Sequence, residues 1–141
     1  MVLLPKDTNN KILAIIYSDE GKFLLLRTNK KHMGMDAWYV VTGAIKKGES
    51  SDDAAMREVI EETKLKVLEI KPTEHFFEYE WPVGSGIMKR EDIFLAKVKH
   101  DKPKITAWEH IDYKWLNKKD FIDQIYWYNE NREVLKEILA V

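Results

Sequence analysis

The 141-residue chain contains no cysteine, which excludes a disulfide framework, thiolate catalysis and cysteine-ligated zinc. It also lacks any apolar run near the roughly 20 residues that a membrane-spanning helix needs. The start, MVLLPKDTNNK, carries no basic leader and only three apolar residues in a row after Met1, so no signal peptide is predicted. Nor is there an excess of charge of either sign. Lys and Arg number 23 against 24 Asp and Glu, a net charge of −1, which argues against a general nucleic-acid binder. Internal repeats, low-complexity tracts and linkers are absent as well. One domain over residues 1–141, long enough to bury a single core, is expected, with a cytoplasmic location.

The informative stretch is Gly43 to Leu65, GAIKKGESSDDAAMREVIEETKL. A glycine turn is expected at Gly43, with a second glycine at Gly48. A helix follows, for which Ser50, Ser51, Asp52 and Asp53 are all candidate N-caps, and acidic residues suit the positive end of its dipole. Glu58, Glu61 and Glu62 stand at i, i+3 and i+4, so their carboxylates project from one face about one turn apart. Ala55, Val59 and Ile60 are expected to dock the helix on a core. Clustered like charges destabilise a bare helix by a few tenths of a kcal/mol per pair. A solvated acidic face is one reading. The other is a set of oxygen donors for Mg²⁺ or Mn²⁺, the hard cations that accompany phosphate chemistry.

The spacing decides between these. Gly43, Glu49, Arg57, Glu58, Val59, Glu61, Glu62 and Leu65 fall in register with a box that runs Gly, five residues, Glu, seven residues, then Arg-Glu-apolar-x-Glu-Glu-x-Gly-apolar. On these residues the chain resembles the Nudix hydrolases. Lys64 departs from the pattern, standing where the box has a glycine suited to a left-handed C-cap.

In chain order, Lys11 to Ser18 and Phe23 to Arg27 read as a hairpin around Asp19-Glu20-Gly21-Lys22. Arg27 ends the apolar run as either a snorkelling edge charge or a phosphate contact. Residues 28–37 form a polar loop that is either simply solvated or a flexible lid carrying Lys30, Lys31 and His32. Trp38 to Thr42 reads as one short strand leading to Gly43. Leu65 to Ile70, Glu74 to Trp81 and Ile87 to Val98 are further strands, with turn chemistry at Pro82 to Gly86. In HFFEYEW the alternation puts Phe77, Tyr79 and Trp81 on one face. They serve either core packing or stacking on a nucleobase. His110 to Leu116 is the last strand. Asp120 to Val141 reads helical, with Phe121, Ile122, Ile125, Leu135, Ile138 and Leu139 as its stripe and Asn129 as a candidate cap for a second helix. The pattern predicts an α+β fold with a mixed sheet between helices, and the resemblance implies the same α/β/α sandwich.

The resemblance extends to Glu109-His110-Ile111-Asp112-Tyr113-Lys114-Trp115-Leu116 and to Val41-Thr42-Gly43, which look like the dATP pyrophosphohydrolase (MutT-like) branch of the family. The diadenosine tetraphosphate hydrolases share the first segment but carry Pro-Lys-Gly at the second. The resemblance implies a Mg²⁺-dependent enzyme, with Mn²⁺ as an alternative ion. Such an enzyme splits a nucleoside triphosphate-like substrate, of dATP type or dihydroneopterin triphosphate, into monophosphate and pyrophosphate. Its implied metal ligands are Glu58, Glu61, Glu62 and Glu109, Glu109 being also the candidate general base, with Glu91 and Asp92 as alternatives to it. Arg57 joins Glu58, Glu62 and Glu109 in the catalytic set, pairing with Glu49 to brace the loop against the helix. Arg27 and Thr42 are implied substrate contacts, and Phe77 and Tyr79 the candidate stacking residues. The partner is a small nucleotide or polyphosphate, with no nucleic acid or membrane, and the protein a monomer or homodimer. The alternatives are a diadenosine tetraphosphate hydrolase and a non-catalytic nucleotide sensor.

Overall fold

Residues 10–127 and 132–140 are described by the computed structural model. Ile- and Leu-rich runs form the centre of a seven-stranded sheet. Its elements are β1 (Asn10–Ser18), β2 (Phe23–Thr28), β3 (Trp38–Tyr39), β4 (Val41–Ala44), β5 (Val67–Glu80), β6 (Met88–Val98) and β7 (His110–Leu116). The spatial order is β3-β2-β1-β6-β5, with β4 on β1 and β7 on β2. β1 and β6 run parallel and the other pairs antiparallel, so the sheet is mixed, as predicted.

The strands are apolar on both faces because helices cover both. On one side α2 (Ser51–Thr63) packs. Ala54 and Ala55 share one buried cluster with Ile12 and Phe94, and Val59 shares another with Ala14, Ile16, Leu24, Leu26 and Val41. The two alanines let the helix axis lie close to the strands. Ile60, expected in this contact, is 43% exposed, since its position points away from the Ala55–Val59 stripe. On the other side α3 (Lys118–Gln124) and α4 (Arg132–Ile138) bring Phe121, Ile122, Leu135 and Ile138 onto Leu13, Ile15, Leu25, Ile93 and Leu95. The expected stripe is buried throughout, but it belongs to two helices. Asn129, the proposed cap, lies outside the described residues.

Three further elements differ from expectation. The 28–37 loop contains a helical turn, α1 (Lys30–Met33), capped by the Asn29 side chain. Trp38 to Thr42 is two strands. β3 pairs with β2 and β4 with β1, so the chain changes neighbour at Val40. This happens because β1 and β2 meet only at Tyr17 and Phe23 and then splay apart. Lastly, the two strands expected after α2 are one strand, β5, whose register shifts between Pro72 and Phe76.

Ser50 proves to be the cap of α2, its hydroxyl accepting from the Asp53 amide at 3.1 Å. At the other end Lys64 adopts φ 58, ψ 16, the left-handed conformation that its Cβ disfavours. Replacing Lys64 by glycine is therefore expected to stabilise the protein by about 0.5–1 kcal/mol, measured by urea unfolding; an unchanged or lower midpoint would contradict it.

Candidate active site

The site is built where β4 passes under α2. Gly43 sits within β4 rather than in a turn, and its φ is not positive. Its lack of a side chain matters for space. A Cβ there would lie 2.2 Å from the Glu58 Cδ and 2.3 Å from its Oε1. The Glu58 carboxylate thus rests directly on the strand backbone. Gly48, by contrast, has φ 79 and supplies the turn ahead of α2.

Arg57 ties this arrangement together. Its Nε and Nη2 donate to the two Glu49 oxygens at 2.8 and 3.0 Å, and Nη2 also donates to the Ala44 carbonyl at 2.9 Å. Its Nη1 donates to Glu58 at 2.7 Å and to Glu61 at 3.3 Å. Five bonds match the five N–H donors of a guanidinium. The expected Glu49–Arg57 pair is present, and Arg57 in addition orients two of the helix carboxylates. Glu49 is held below its ordinary pKa by Arg57. Glu58 is raised by burial, which the Arg57 contact only partly offsets.

The third helix carboxylate, Glu62, is buried and faces the start of β7. Its Oε2 lies 3.3 Å from His110 Nδ1, off the geometry of a hydrogen bond, and both atoms are buried without another partner. Glu109 completes the group. Donor atoms of Glu62, Glu109 and His110 fall within 4.8 Å of one another. Glu109 is positioned by the α1 segment: its carbonyl accepts from the Asn29 amide at 2.8 Å, the Asn29 side chain donates to the Ala107 carbonyl at 2.6 Å, and His32 stacks on Trp108 at 3.5 Å. The 28–37 segment is thus packed against the Glu109 loop rather than being a free lid.

Four carboxylates in one patch perturb one another. The Glu62 contact, then burial, then the charges of Glu62, Glu58 and Glu61 push the Glu109 carboxyl from 4.5 up to about 8. Burial pushes Glu62 up, but its contacts with His110 and Glu109 outweigh it and hold Glu62 low. An orphaned, buried carboxylate oxygen among further carboxylates is costly unless a cation neutralises it, and this oxygen-rich donor set fits a hard divalent ion.

A pH dependence follows. A carboxyl raised to about 8 binds its proton more tightly in the folded than in the unfolded chain. Its contribution to the metal-free protein is complete below about pH 4.5 and is lost as pH rises through 8. Burial raises Glu58 and Glu91 in the same direction, whereas Glu62, held low, acts below that window. In EDTA the melting temperature is expected to fall between pH 6 and 8.5, and added Mg²⁺ to raise it more at pH 8.5 than at pH 6. A Mg²⁺ shift that does not grow with pH would count against this.

Other candidates lie elsewhere. Arg27 forks onto Asp36 with two 3.0 Å bonds and so closes the 28–37 segment. Thr42, half-buried on β4, stands next to Gly43. Asp92 pairs with Arg90 at 3.0 Å. Glu91, for which a surface position was the plainer expectation, is only 6% exposed. It lies on the sheet face away from α2, beside Ile93 and Leu95, and so is no alternative to Glu109. Phe77 and Tyr79 share a small cavity with Glu91 and with Tyr39, and Phe77 also packs edge-on against Trp127 at 5.1 Å. His110 and Tyr39 were missed as site residues. Proximity of His110 to Glu109 in sequence was the available signal for the first; nothing local marked the second.

Comparison with known proteins agrees with this geometry. The NUDIX domain family matches residues 8–138. The dihydroneopterin triphosphate diphosphatase of Escherichia coli (strain K12) is 31% identical over 117 residues, covering 75% of this chain and 76% of that protein. The solved structure of the E. coli dihydroneopterin triphosphate pyrophosphohydrolase superposes with a TM-score of 0.70 at 25% identity, covering 94% and 96% of the two chains. A C. elegans Ap4A hydrolase binary complex gives a TM-score of 0.69 at 26% identity, covering 92% and 96%. The family match over nearly the whole chain, with Glu58, Glu61 and Glu62 of its box gathered on one helix above Gly43, means that this chain belongs to the Nudix family and is a pyrophosphohydrolase.

Proposed function

We propose that the protein hydrolyses a nucleoside triphosphate-like substrate, dihydroneopterin triphosphate or a purine nucleoside triphosphate, to the monophosphate and pyrophosphate with Mg²⁺. The observation that carries the reading is the convergence of Glu62, Glu109 and His110 within 4.8 Å beside a Glu58 carboxylate laid on Gly43.

Nudix hydrolases use divalent metal. Glu58 and Glu62 would hold the ion here, with Glu61, half-exposed on the same face, and Glu109 completing the oxygen donors. When bound, such an ion neutralises phosphate oxygens and acidifies its water. The remaining work falls to the chain. Arg57 fixes the Glu58 and Glu61 carboxylates against the Glu49 loop, so that no reorganisation is needed as charge develops. Glu109, in its ionised form, would accept a proton from an attacking water. The Asn29–Ala107 and His32–Trp108 contacts hold the loop that carries it.

The C. elegans likeness supports a second reading, hydrolysis of diadenosine tetraphosphate. A panel with Mg²⁺ and chromatographic product analysis distinguishes the two. Monophosphate plus pyrophosphate from dihydroneopterin triphosphate or one purine triphosphate is expected. ATP plus AMP released preferentially from the dinucleotide would replace the proposal with the second reading. Nucleotide binding without turnover of any compound would overturn both in favour of a sensor.

A further inference from the structure

Glu91 is a nearly fully buried carboxylate, 6% exposed, that the metal site does not use. Its one hydrogen bond among the described residues is a long one, from Tyr79 Oη at 3.3 Å. It opens on a cavity of about 100 Å³ lined by Tyr39, Phe77 and Tyr79, room for about three waters and thus for the edge of a planar ring. A carboxylate has about four lone-pair sites, so most of its acceptor capacity is open to a ligand in the cavity.

The position relative to the acidic cluster is set by the sheet. Ala44, Lys11 and Glu91 lie side by side on β4, β1 and β6, so the Glu91 Cα stands two strand spacings, about 10 Å, from the Cα of Ala44. Gly43, on which Glu58 rests, is the next residue. The cavity and the carboxylate patch therefore sit at one end of the sheet, on its two faces, where the splaying of β1 from β2 admits β3 and β4 between them. That Cα spacing is shorter than an extended nucleoside triphosphate, so the two sites are close enough to engage one substrate at this end of the sheet.

We propose that Glu91 determines specificity by accepting two parallel hydrogen bonds from a ring N–H and its neighbouring exocyclic amino group, the edge shared by guanine and pterins, with the aromatic rings of the cavity packing on the heterocycle. The inference rests on the pyrophosphohydrolase reading and names its substrate class. Planar donor pairs meet a carboxylate as a fork, the geometry that makes bidentate pairs selective, and pockets for extruded bases combine such edge contacts with stacking. Adenine presents an acceptor at the corresponding ring nitrogen and would set a lone pair against the carboxylate. Burial favours the neutral acid of Glu91, but Lys11, its register neighbour, and the Tyr79 hydroxyl favour the ionised form.

The test compares kcat/KM for dihydroneopterin triphosphate, dGTP and dATP in the wild type and in Glu91→Gln, whose amide matches the adenine edge instead. The wild type is expected to prefer the first two, and the variant to lower the dGTP-to-dATP ratio by about 10- to 100-fold. A parallel fall on all three substrates would make Glu91 structural and overturn the proposal. A second readout needs neither turnover nor the variant: equilibrium binding of GMP and AMP to the wild type, followed by tryptophan fluorescence. GMP is expected to bind at least about tenfold tighter, and equal or AMP-favoured binding would sink the inference. Hydrolysis without base preference refutes this inference alone, while absence of any hydrolysis refutes the function on which it rests.

Discussion

Replacing Glu62 by glutamine is expected to lower kcat/KM by about 10²- to 10³-fold, the loss that follows removal of one preorganised electrostatic group, and to leave the protein folded. Glu58→Gln should behave likewise. Glu62 stands out because its environment would be unfavourable for any purely structural role. Its Oε2 is buried without a hydrogen-bond partner, and its charge helps to force the Glu109 carboxyl up to about 8. A chain selected for stability alone would be served better by a neutral residue there. Glutamine keeps the shape and removes the charge, so the fall in metal-free melting temperature between pH 6 and 8.5 should become shallower in the variant. The two readouts move in opposite senses: activity drops while the alkaline loss of stability is relieved. Pyrophosphate release with Mg²⁺ and thermal melts in EDTA measure them. Full activity in Glu62→Gln would remove this residue from the site.

The second large effect is expected from the smallest change, Gly43→Ala. The added Cβ would stand 2.2 Å from Glu58 Cδ, where non-bonded carbon atoms keep about 3.5–4.0 Å. One of the two must give way by more than 1 Å. The Glu58 carboxylate is the end of a flexible side chain, so it swings out, and its 2.7 Å bond from Arg57 is strained or lost. Stability should change little, since β4 needs no positive φ at this residue and its pairing with β1 is undisturbed. Turnover should fall about 10²-fold, the scale of a 1 Å misplacement in a catalytic group. A variant with normal kcat/KM would show that the contact between Gly43 and Glu58 does not position the carboxylate. One that fails to fold would show that the clash is absorbed by backbone instead.

Much of the site was readable in one dimension because it lies on one helix. Residues three and four apart on a helix share a face whatever the rest of the fold does, so Glu58, Glu61 and Glu62 could be grouped from spacing alone, and Ser50 was among the candidate caps for the same local reason. The strand β7 and the buried stripe of Phe121 to Leu139 followed from apolar period. Ile60 shows the limit: periodicity offers more than one apolar face to a helix, and only contact with the sheet selects Ala54, Ala55 and Val59.

What tertiary structure alone decided concerns pairings between distant segments. The chain changes strand neighbour at Val40, Arg27 pairs with Asp36, and Glu91 turns inward beside Tyr39 and Phe77. None has a local signature, because a charged residue in a strand reads the same whether its face meets water or a cavity. The composition, the box and the helix that carries it were determined by sequence, through steric and hydrogen-bonding rules that act within a few residues. The role of Gly43 as empty space, the five bonds of Arg57 and the closeness of Glu62 to Glu109 were decided only by packing, because each depends on atoms brought together from separate parts of the chain.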